Sequence, residues 1–360
     1  MLLSTIINEF KDSFSRIYSK NLLPGHSKAL ASMARCRQEH GPHLLARCSD
    51  HRCGEQVYIP HSCGHRSCPH CQNHESRQWL ESQLEKRLPC QYFLITFTLP
   101  RQLRDLAWKH QKTVYSLMFR AVQDLLKSFT QNDRKLGGAP GFTAILHTHS
   151  RTLEYHPHIH VVMPAASINR ETGLWKKKSG KYLFSHQALA KVFRAKLLQS
   201  LVEHKLPVPN DCPTQWVVDC TDAGNGDKAL VYLGRYLYRG VIRERDILQC
   251  QDGMVTFRYR HAKSGEDRTK TVKAEYFLYL LMLHVLPQGF RRTRSYGFLH
   301  ACSKNLIRLV RLVLRVAPWR ILVRNLKHRP AIICPVCGAA MVIIATMITR
   351  PLALATALQP

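Results

Sequence analysis

Acidic residues are scarce in this 360-residue chain: 24 Asp and Glu stand against 53 Lys and Arg, a formal charge of +29. Past Glu275 the shortage is total, since residues 276–360 carry twelve Lys and Arg and no acid. That balance makes a polyanion the default ligand, and the acid-free stretch reads as a phosphate-binding surface more readily than as a merely solvated face. Long apolar runs are also lacking. The most apolar stretch, Ala339 to Thr349, is interrupted by Arg350 and is too short to span a bilayer. Met1 to Lys20 mixes Asn8, Glu9, Lys11, Asp12 and Arg16 into its apolar residues, unlike a secretory signal. The expectation is a cytoplasmic protein without membrane partners. With 45% apolar and only 21% charged residues the chain is no disordered basic tail, and its length suits two or three domains.

Disulfides are disfavoured in a reducing compartment, so the thirteen cysteines require metal or burial as their explanation. Six lie close together near the front: Cys36, Cys48, Cys53, Cys63, Cys68 and Cys71. The tight part reads Cys48-x4-Cys53-Gly54, then Cys63-Gly64-His65-Arg66-Ser67-Cys68-Pro69-His70-Cys71. Short-spaced cysteine pairs on tight knuckles are what tetrahedral thiolate coordination of zinc needs. The spacing nominates Cys48, Cys53, Cys68 and Cys71 as ligands of one ion, with Cys63, Cys36, His43 and His65 as substitutes or members of a second site. A further Cys334-Pro335-Val336-Cys337-Gly338 is half a site on its own, readable as buried thiols or an incomplete knuckle as readily as metal.

From about residue 91 the pattern alternates. Tyr92 to Leu99 is aromatic and β-branched and stops at Pro100, which reads as a buried strand. Helical spacing follows over 101–130, then strands at 142–148 and 158–163, and a basic hairpin at 175–181. A helix at 185–204, a strand at 214–220, a helix at 227–239 and a hairpin at 254–274 complete the region. The expected fold is α+β: a front cysteine-rich module at 1–89, a central ferredoxin-like antiparallel sheet with helices on one face at 90–275, and a basic helical C-terminal region at 276–360.

One strand reads His156-Pro157-His158-Ile159-His160. Side chains alternate across a strand, so His158 and His160 share a face, where two imidazoles can bind one divalent ion. A third ligand is needed; His147 or His149 on the preceding strand, His156, or a carboxylate could supply it. The helix at 227–239 sets Tyr232 and Tyr236 about 40° apart, at about 100° per residue, on an arc shared with Lys228, Arg235 and Arg239. Leu230, Leu233 and Leu237 occupy a different arc suited to packing on the sheet. Core tyrosines would sit with the leucines. A phenol among cations is stabilised as phenolate beside a bound phosphate, as a tyrosine nucleophile requires.

These motifs, in this order, resemble the rolling-circle transposases of the insertion sequence 91 family, two-tyrosine members of the HUH (His-hydrophobic-His) endonuclease superfamily. The resemblance rests on Ser62-Cys63-x-x-Arg66-x-Cys68-Pro69-x-Cys71, Phe97-Thr98-Leu99-Pro100, His156-Pro157-His158-Ile159-His160 and Tyr232-Leu233-Gly234-Arg235-Tyr236. It continues through His284-Val285-Leu286-Pro287-Gln288-Gly289-Phe290 and Arg294-Ser295-Tyr296-Gly297. His147-Thr148-His149-Ser150 stands where the family pattern has His-Thr-Trp-Gly, which keeps a histidine at 147. The resemblance implies Mg²⁺ or Mn²⁺ on His158 and His160, leaves His147 as one candidate for the third ligand, and implies Tyr232 and Tyr236 as paired nucleophiles that cleave and rejoin single-stranded DNA through a 5′-phosphotyrosine. It also implies zinc in the front module and action at the bacterial nucleoid. Arg308, Arg311 and Arg315, spaced 3 and 4 apart, would form a cationic helical stripe against DNA. A replication initiator with the same chemistry is the near alternative; a noncatalytic zinc-dependent nucleic-acid-binding protein is the distant one.

Overall fold

The computed structural model describes residues 2–71, 73–169, 171–237, 241–261, 264–316 and 332–348; at 73, 74, 235–237 and 313 it describes the backbone alone. Helices α1 (Leu3–Tyr18) and α2 (Pro24–Ala34) lead into strands β1 (His43–Cys48) and β2 (Gln56–Pro60), then helix α3 (Asn73–Glu85). The central region runs β3 (Tyr92–Thr98), α4 (Arg104–Lys109), α5 (Gln111–Asn132), β4 (Ala139–His149), β5 (Tyr155–Pro164), β6 (Ala166–Ile168), β7 (Trp175–Lys177), α6 (His186–Glu203), β8 (Val218–Asp222) and α7 (Asp227–Leu237). After it come β9 (Ile247–Gln251), β10 (Met254–Arg260), β11 (Asp267–Lys273), α8 (Ala274–Met282), β12 (Thr293–Gly297), α9 (Lys304–Val313) and β13 (Met341–Ile348).

The main sheet has the order β7-β6-β4-β5-β3-β8, with β12 also antiparallel to β4. Its centre, β4-β5-β3-β8, is the split β-α-β arrangement, with α5 crossing from β3 and α6 leading into β8. Alternation along the strands assigns residues to two faces. Phe93, Ile95, Phe97, Ile159, Val161, Met163, Ala144 and Leu146 point to one side and bury against Val114, Met118, Val122, Leu125, Phe193 and Leu197 of α5 and α6.

The opposite face is not bare, as helices on one face alone would leave it. Tyr92, Leu94, Ile145 and Val162 are covered there by Ala229, Leu230 and Leu233 of α7, with Trp79, Leu80 and Leu84 of α3 beyond. Leu230 and Leu233 of α7 thus supply apolar cover, while Tyr232 on the same helix stays exposed.

Helices α1 and α2 share a second core with Ile247, Val255 and Phe257 of the β9–β11 sheet and with Phe277, Leu278 and Leu281 of α8. Residues from before and after the central region in sequence therefore meet in one core. A third sheet, β13-β1-β2, brings residues 341–348 back onto the front strands. The C-terminal segment holds helix α9 and contributes two strands besides. Among the described residues no helix is long and apolar enough to cross a membrane.

Candidate active site and metal centres

Register places the histidines. Thr96 and Ile145 both pair with His160, and Thr98 and His147 both pair with His158, so His147, His158, His160 and Thr96 share the face that α7 partly covers. One ring nitrogen from each of His147, His158 and His160 lies within 4.8 Å of the other two. The Nδ1–H of His158 donates to the carbonyl of His156 at 2.7 Å, and Nδ1 of His160 bonds the Thr96 hydroxyl at 2.9 Å. Both Nε2 atoms are thereby turned inward and stand 3.1 Å apart. Two ligands about 2.1 Å from one ion are about 3.0 Å apart when cis in an octahedron and about 3.4 Å apart in a tetrahedron, so the pair fits a shared cation. Bonds to the far nitrogens are the usual way a protein orients metal-binding imidazoles.

Burial keeps these rings neutral, the form that ligates. It lowers His160 to about 3, with His158 adding to the effect, and holds His147 well below the usual imidazole range, assisted by His160 and His158. Of the other third-ligand candidates, His156 is engaged by the Arg104 guanidinium, Nη2 to Nδ1 at 2.6 Å. His149 turns toward His284, ring centroids 5.6 Å apart. The geometry groups His147, and neither His149 nor His156, with the pair.

Helix α7 delivers Tyr232 to this cluster. Its ring stands edge-on to His160, centroids 6.4 Å apart at 89°, and is 41% exposed. The approach is fixed at both ends of the helix. Asp227 is paired with Arg87 at 2.5 Å, and the Ser76 hydroxyl donates to the Gly234 carbonyl at 2.5 Å. A Cβ at Gly234 would lie 3.4 Å from the Trp79 ring, an ordinary van der Waals contact, so α3 and α7 are in close packing at this point. Tyr232 and Lys228, with Leu94, Thr221, Asp222 and Asn225, line an open groove of about 540 Å³. Arg235 and Tyr236 fall on α7 by backbone; Arg239 lies outside the described residues. Arg308 and Arg311 sit on α9, whereas Arg315 follows the helix in a left-handed conformation (φ 48°), so the helical stripe has two members and not three.

The cysteines do not form the single site that their spacing suggests. Cys68 and Cys71 join Cys36 and Cys63, and Cys48 and Cys53 join Cys334 and Cys337. In the first group the sulfur separations Cys36–Cys71, Cys63–Cys71 and Cys36–Cys68 are 3.8, 3.7 and 3.7 Å. Sulfurs bound tetrahedrally at about 2.3 Å from zinc lie about 3.8 Å apart, so this set has the dimensions of a zinc site. Sulfur contacts from Cys36, Cys63 and Cys68 drive the Cys71 thiol far below its ordinary range, toward the ligating thiolate. His43 and His65 belong to neither group. The error in the simple pairing has a physical source: β1 is antiparallel to β2, so Cys48 lies beside the start of β2 while the Cys63–Cys71 knuckle follows its end, where Cys36, just past α2, joins it.

Several motif residues hold the parts together without touching the candidate chemistry. Arg66 of the cysteine knuckle donates to the carbonyls of Leu286 (2.7 Å), Pro287 (2.8 Å) and Phe290 (2.9 Å). His284 donates through Nε2 to the Leu153 carbonyl at 2.8 Å, while its Nδ1 bonds the buried Thr148 hydroxyl at 3.2 Å. Arg294 lies over the ring of Phe119, 4.2 Å from its centroid. Thr96 and Arg104 were invisible to pattern reading; only the strand register shows that Thr96 faces His160.

Two family models and two relatives of this chain are transposases. Residues 6–99 match a family model described as "Transposase zinc-binding domain", and residues 141–306 match one described as "Putative transposase". The "Putative transposase y4qJ" of Sinorhizobium fredii (strain NBRC 101917 / NGR234) is 32% identical over 271 residues, 69% of this chain and 68% of that protein. The "Transposase for insertion sequence element IS801" of Pseudomonas savastanoi pv. phaseolicola is 26% identical over 326 residues, 82% of this chain and 77% of that protein. Among solved structures, the metal-bound conjugative relaxase TrwC in complex with oriT DNA aligns at a TM-score of 0.30 and 13% identity, covering 62% of this chain and 92% of that one. The same relaxase with mutant oriT DNA aligns at 0.26 and 17% identity, covering 36% of this chain and 49%, about half, of that one.

Proposed function

Because the chain belongs to the insertion sequence 91 family of transposases, we propose that it cleaves and rejoins single-stranded DNA with Tyr232 as nucleophile beside a divalent ion held by His147, His158 and His160. The observation that carries this reading is the exposed Tyr232 ring edge-on to His160 at the mouth of the groove. A bound Mg²⁺ or Mn²⁺ supplies polarisation of the scissile phosphate and offsets its developing charge. The Tyr232 oxygen attacks phosphorus, the bond from phosphorus to the 3′-oxygen breaks, and the proton lost by the phenol is balanced by the one the 3′-oxygen gains. The 5′-phosphate stays on tyrosine, so the bond energy is kept for rejoining, when the incoming 3′-hydroxyl expels Tyr232.

Lys228, one turn before Tyr232, favours the phenolate and holds a phosphate in the groove. Tyr236, one turn later on α7, serves as the second nucleophile, cutting a second strand while the first remains attached. Arg235, Arg239, Arg308, Arg311 and Arg315 contact the DNA backbone without reading its sequence. The first cysteine group, Cys36, Cys63, Cys68 and Cys71, holds zinc, and Arg66 transmits that knuckle's position to the loop at 286–290.

The test is a labelled single-stranded oligonucleotide of element-end sequence incubated with Mn²⁺. The expected product is a denaturation-resistant protein–DNA adduct. Absence of an adduct, or one that survives replacement of both Tyr232 and Tyr236 by Phe, overturns the proposal. Binding without cleavage under every divalent metal would instead favour a noncatalytic DNA-binding protein.

A further inference from the structure

We propose that Cys48, Cys53, Cys334 and Cys337 form a second, separate zinc site that fastens residues 332–348 to the front of the chain. Half of this set lies outside the stretch, 6–99, that matches the zinc-binding family model. All four sulfurs lie within 4.8 Å of one another, with Cys48–Cys337 at 3.4 Å and Cys53–Cys334 at 3.7 Å. These are near the edge of about 3.8 Å expected for a zinc tetrathiolate and far from the S–S bond of about 2.05 Å. Four convergent thiols with no imidazole or carboxylate suit a soft tetrahedral ion, zinc or iron, and exclude Mg²⁺ and Ca²⁺; zinc is the ion whose count tests the site.

The backbone is built for it twice over. Each half has a cysteine followed by a glycine in the left-handed region, Cys53-Gly54 at φ 63° and Cys337-Gly338 at φ 75°. In each the chain folds back on itself: Cys53 N–H donates to the Asp50 carbonyl at 3.1 Å, and Gly338 N–H to the Cys334 carbonyl at 3.0 Å. The halves are brought together by antiparallel pairing of β1 with β13, in which Cys48 faces Met341 and Ser49 N–H donates to the Ala340 carbonyl.

Packing alone gives this sheet little support. Its buried core is Ala46, Cys48, Cys334 and Met341, while Val342, Ile344 and Met347 on β13 are 57, 44 and 65% exposed. A unit with so few buried residues needs a staple such as a structural metal. Between α9 and the knuckle lie residues 317–331, outside the described set, whose sequence carries Arg320, Arg324, Lys327 and Arg329. A metal at this place fixes the far end of that basic stretch to the zinc module.

The experiment uses the full chain purified with zinc. Native mass spectrometry is expected to count two zinc ions in the unaltered protein, and one in the Cys334→Ser, Cys337→Ser variant. The unaltered protein supplies an independent reading. Cys337 and Cys302 are both exposed, so as free thiols they would react alike with N-ethylmaleimide. The expected result is at least tenfold slower labelling of Cys337, abolished by a strong chelator together with the protection of Cys48, Cys53 and Cys334. Labelling of Cys337 at the rate of Cys302, or two zinc ions retained in the double variant, overturns the proposal. So does protection that a reductant removes and a chelator does not, which signifies disulfides. One zinc with Cys337 still protected supports it and places the failure at the Cys36 group. The labelling depends on no DNA chemistry, so it stands or falls apart from the tyrosine adduct.

Discussion

The two faces of the central sheet are made from the same strands in the same register, yet one is a core and the other a candidate reaction surface. On β5, Ile159, Val161 and Met163 bury against α5 and α6, while His158, His160 and Val162 face the other way. Along that second face the character changes within a few residues. Val162, Ile145 and Leu94 lie under α7, and the histidines follow along the same face, His147 buried and His158 and His160 half-buried. A rigid apolar layer behind the histidines explains how they can be held closely enough to share an ion. Preorganisation on one face rests on packing on the other.

This comparison can be broken or sharpened by substitutions on either side. The largest effect expected is from His160→Ala, which removes a candidate ligand and the ring beside Tyr232; adduct formation should fall below detection while the thermal midpoint is nearly kept. Residual adduct at more than roughly one part in 10² would mean the ring is not needed for charge stabilisation of the kind that commonly contributes 10²–10³-fold. Ile159→Ala, one residue away on the other face, should do the reverse. It should cost about 2–5 kcal/mol in denaturant unfolding while the protein that remains folded keeps its Mn²⁺ dependence.

A subtler change is Thr96→Val, which keeps the shape but removes the hydroxyl at Nδ1 of His160. The Mn²⁺ concentration for half-maximal adduct should rise about 10–100-fold, with little change in the rate at saturation. A fall in the saturated rate alone would contradict a positioning role. The smallest effect concerns acid. Burial lowers His284 to about 4, from an unfolded value near 6.5. The unfolded chain therefore binds the extra proton first, and stability falls as pH drops from about 6.5 toward 4. For this one group the slope is at most about 1.4 kcal/mol per pH unit. Unfolding measured at pH 7 and 5.5 should show a shallower loss in His284→Gln than in the unaltered protein.

Much of the site could be read from local pattern. A period of two puts His158 and His160 on one face, and a period of 3.6 separates the leucines of α7 from Tyr232 and Lys228. The split β-α-β centre of the sheet also followed from element order, although the joining of β6, β7 and β12 to it did not. What could not be read was anything that depended on register between distant segments. Thr96 bonds His160 only because β3 and β5 pair with those residues opposite. The cysteine grouping failed for the same reason. Cys48 and Cys53 look like partners of Cys68 and Cys71 by proximity in sequence, but β13, nearly three hundred residues later, brings Cys334 and Cys337 to them. Likewise, covering of the second face by α3 could not be inferred from a helix whose apolar residues are few.

Arg66, Leu286, Pro287 and Phe290 add a related lesson. Two motifs that looked like separate signatures are one fastening, a guanidinium on three carbonyls. Replacing that arginine with lysine keeps charge but not the planar fork of donors.

The return of β13 to β1 also imposes an order on folding. The sulfur cluster of Cys36, Cys63, Cys68 and Cys71 can assemble as soon as residue 71 has left the ribosome, whereas Cys48 and Cys53 must wait for residue 337. Until then β1 has one edge without its partner strand, and closing the sheet means bringing together segments separated by almost the whole chain. Synthesis at about 5–20 residues per second makes that interval tens of seconds. The first strand of the molecule is thus the last to be completed.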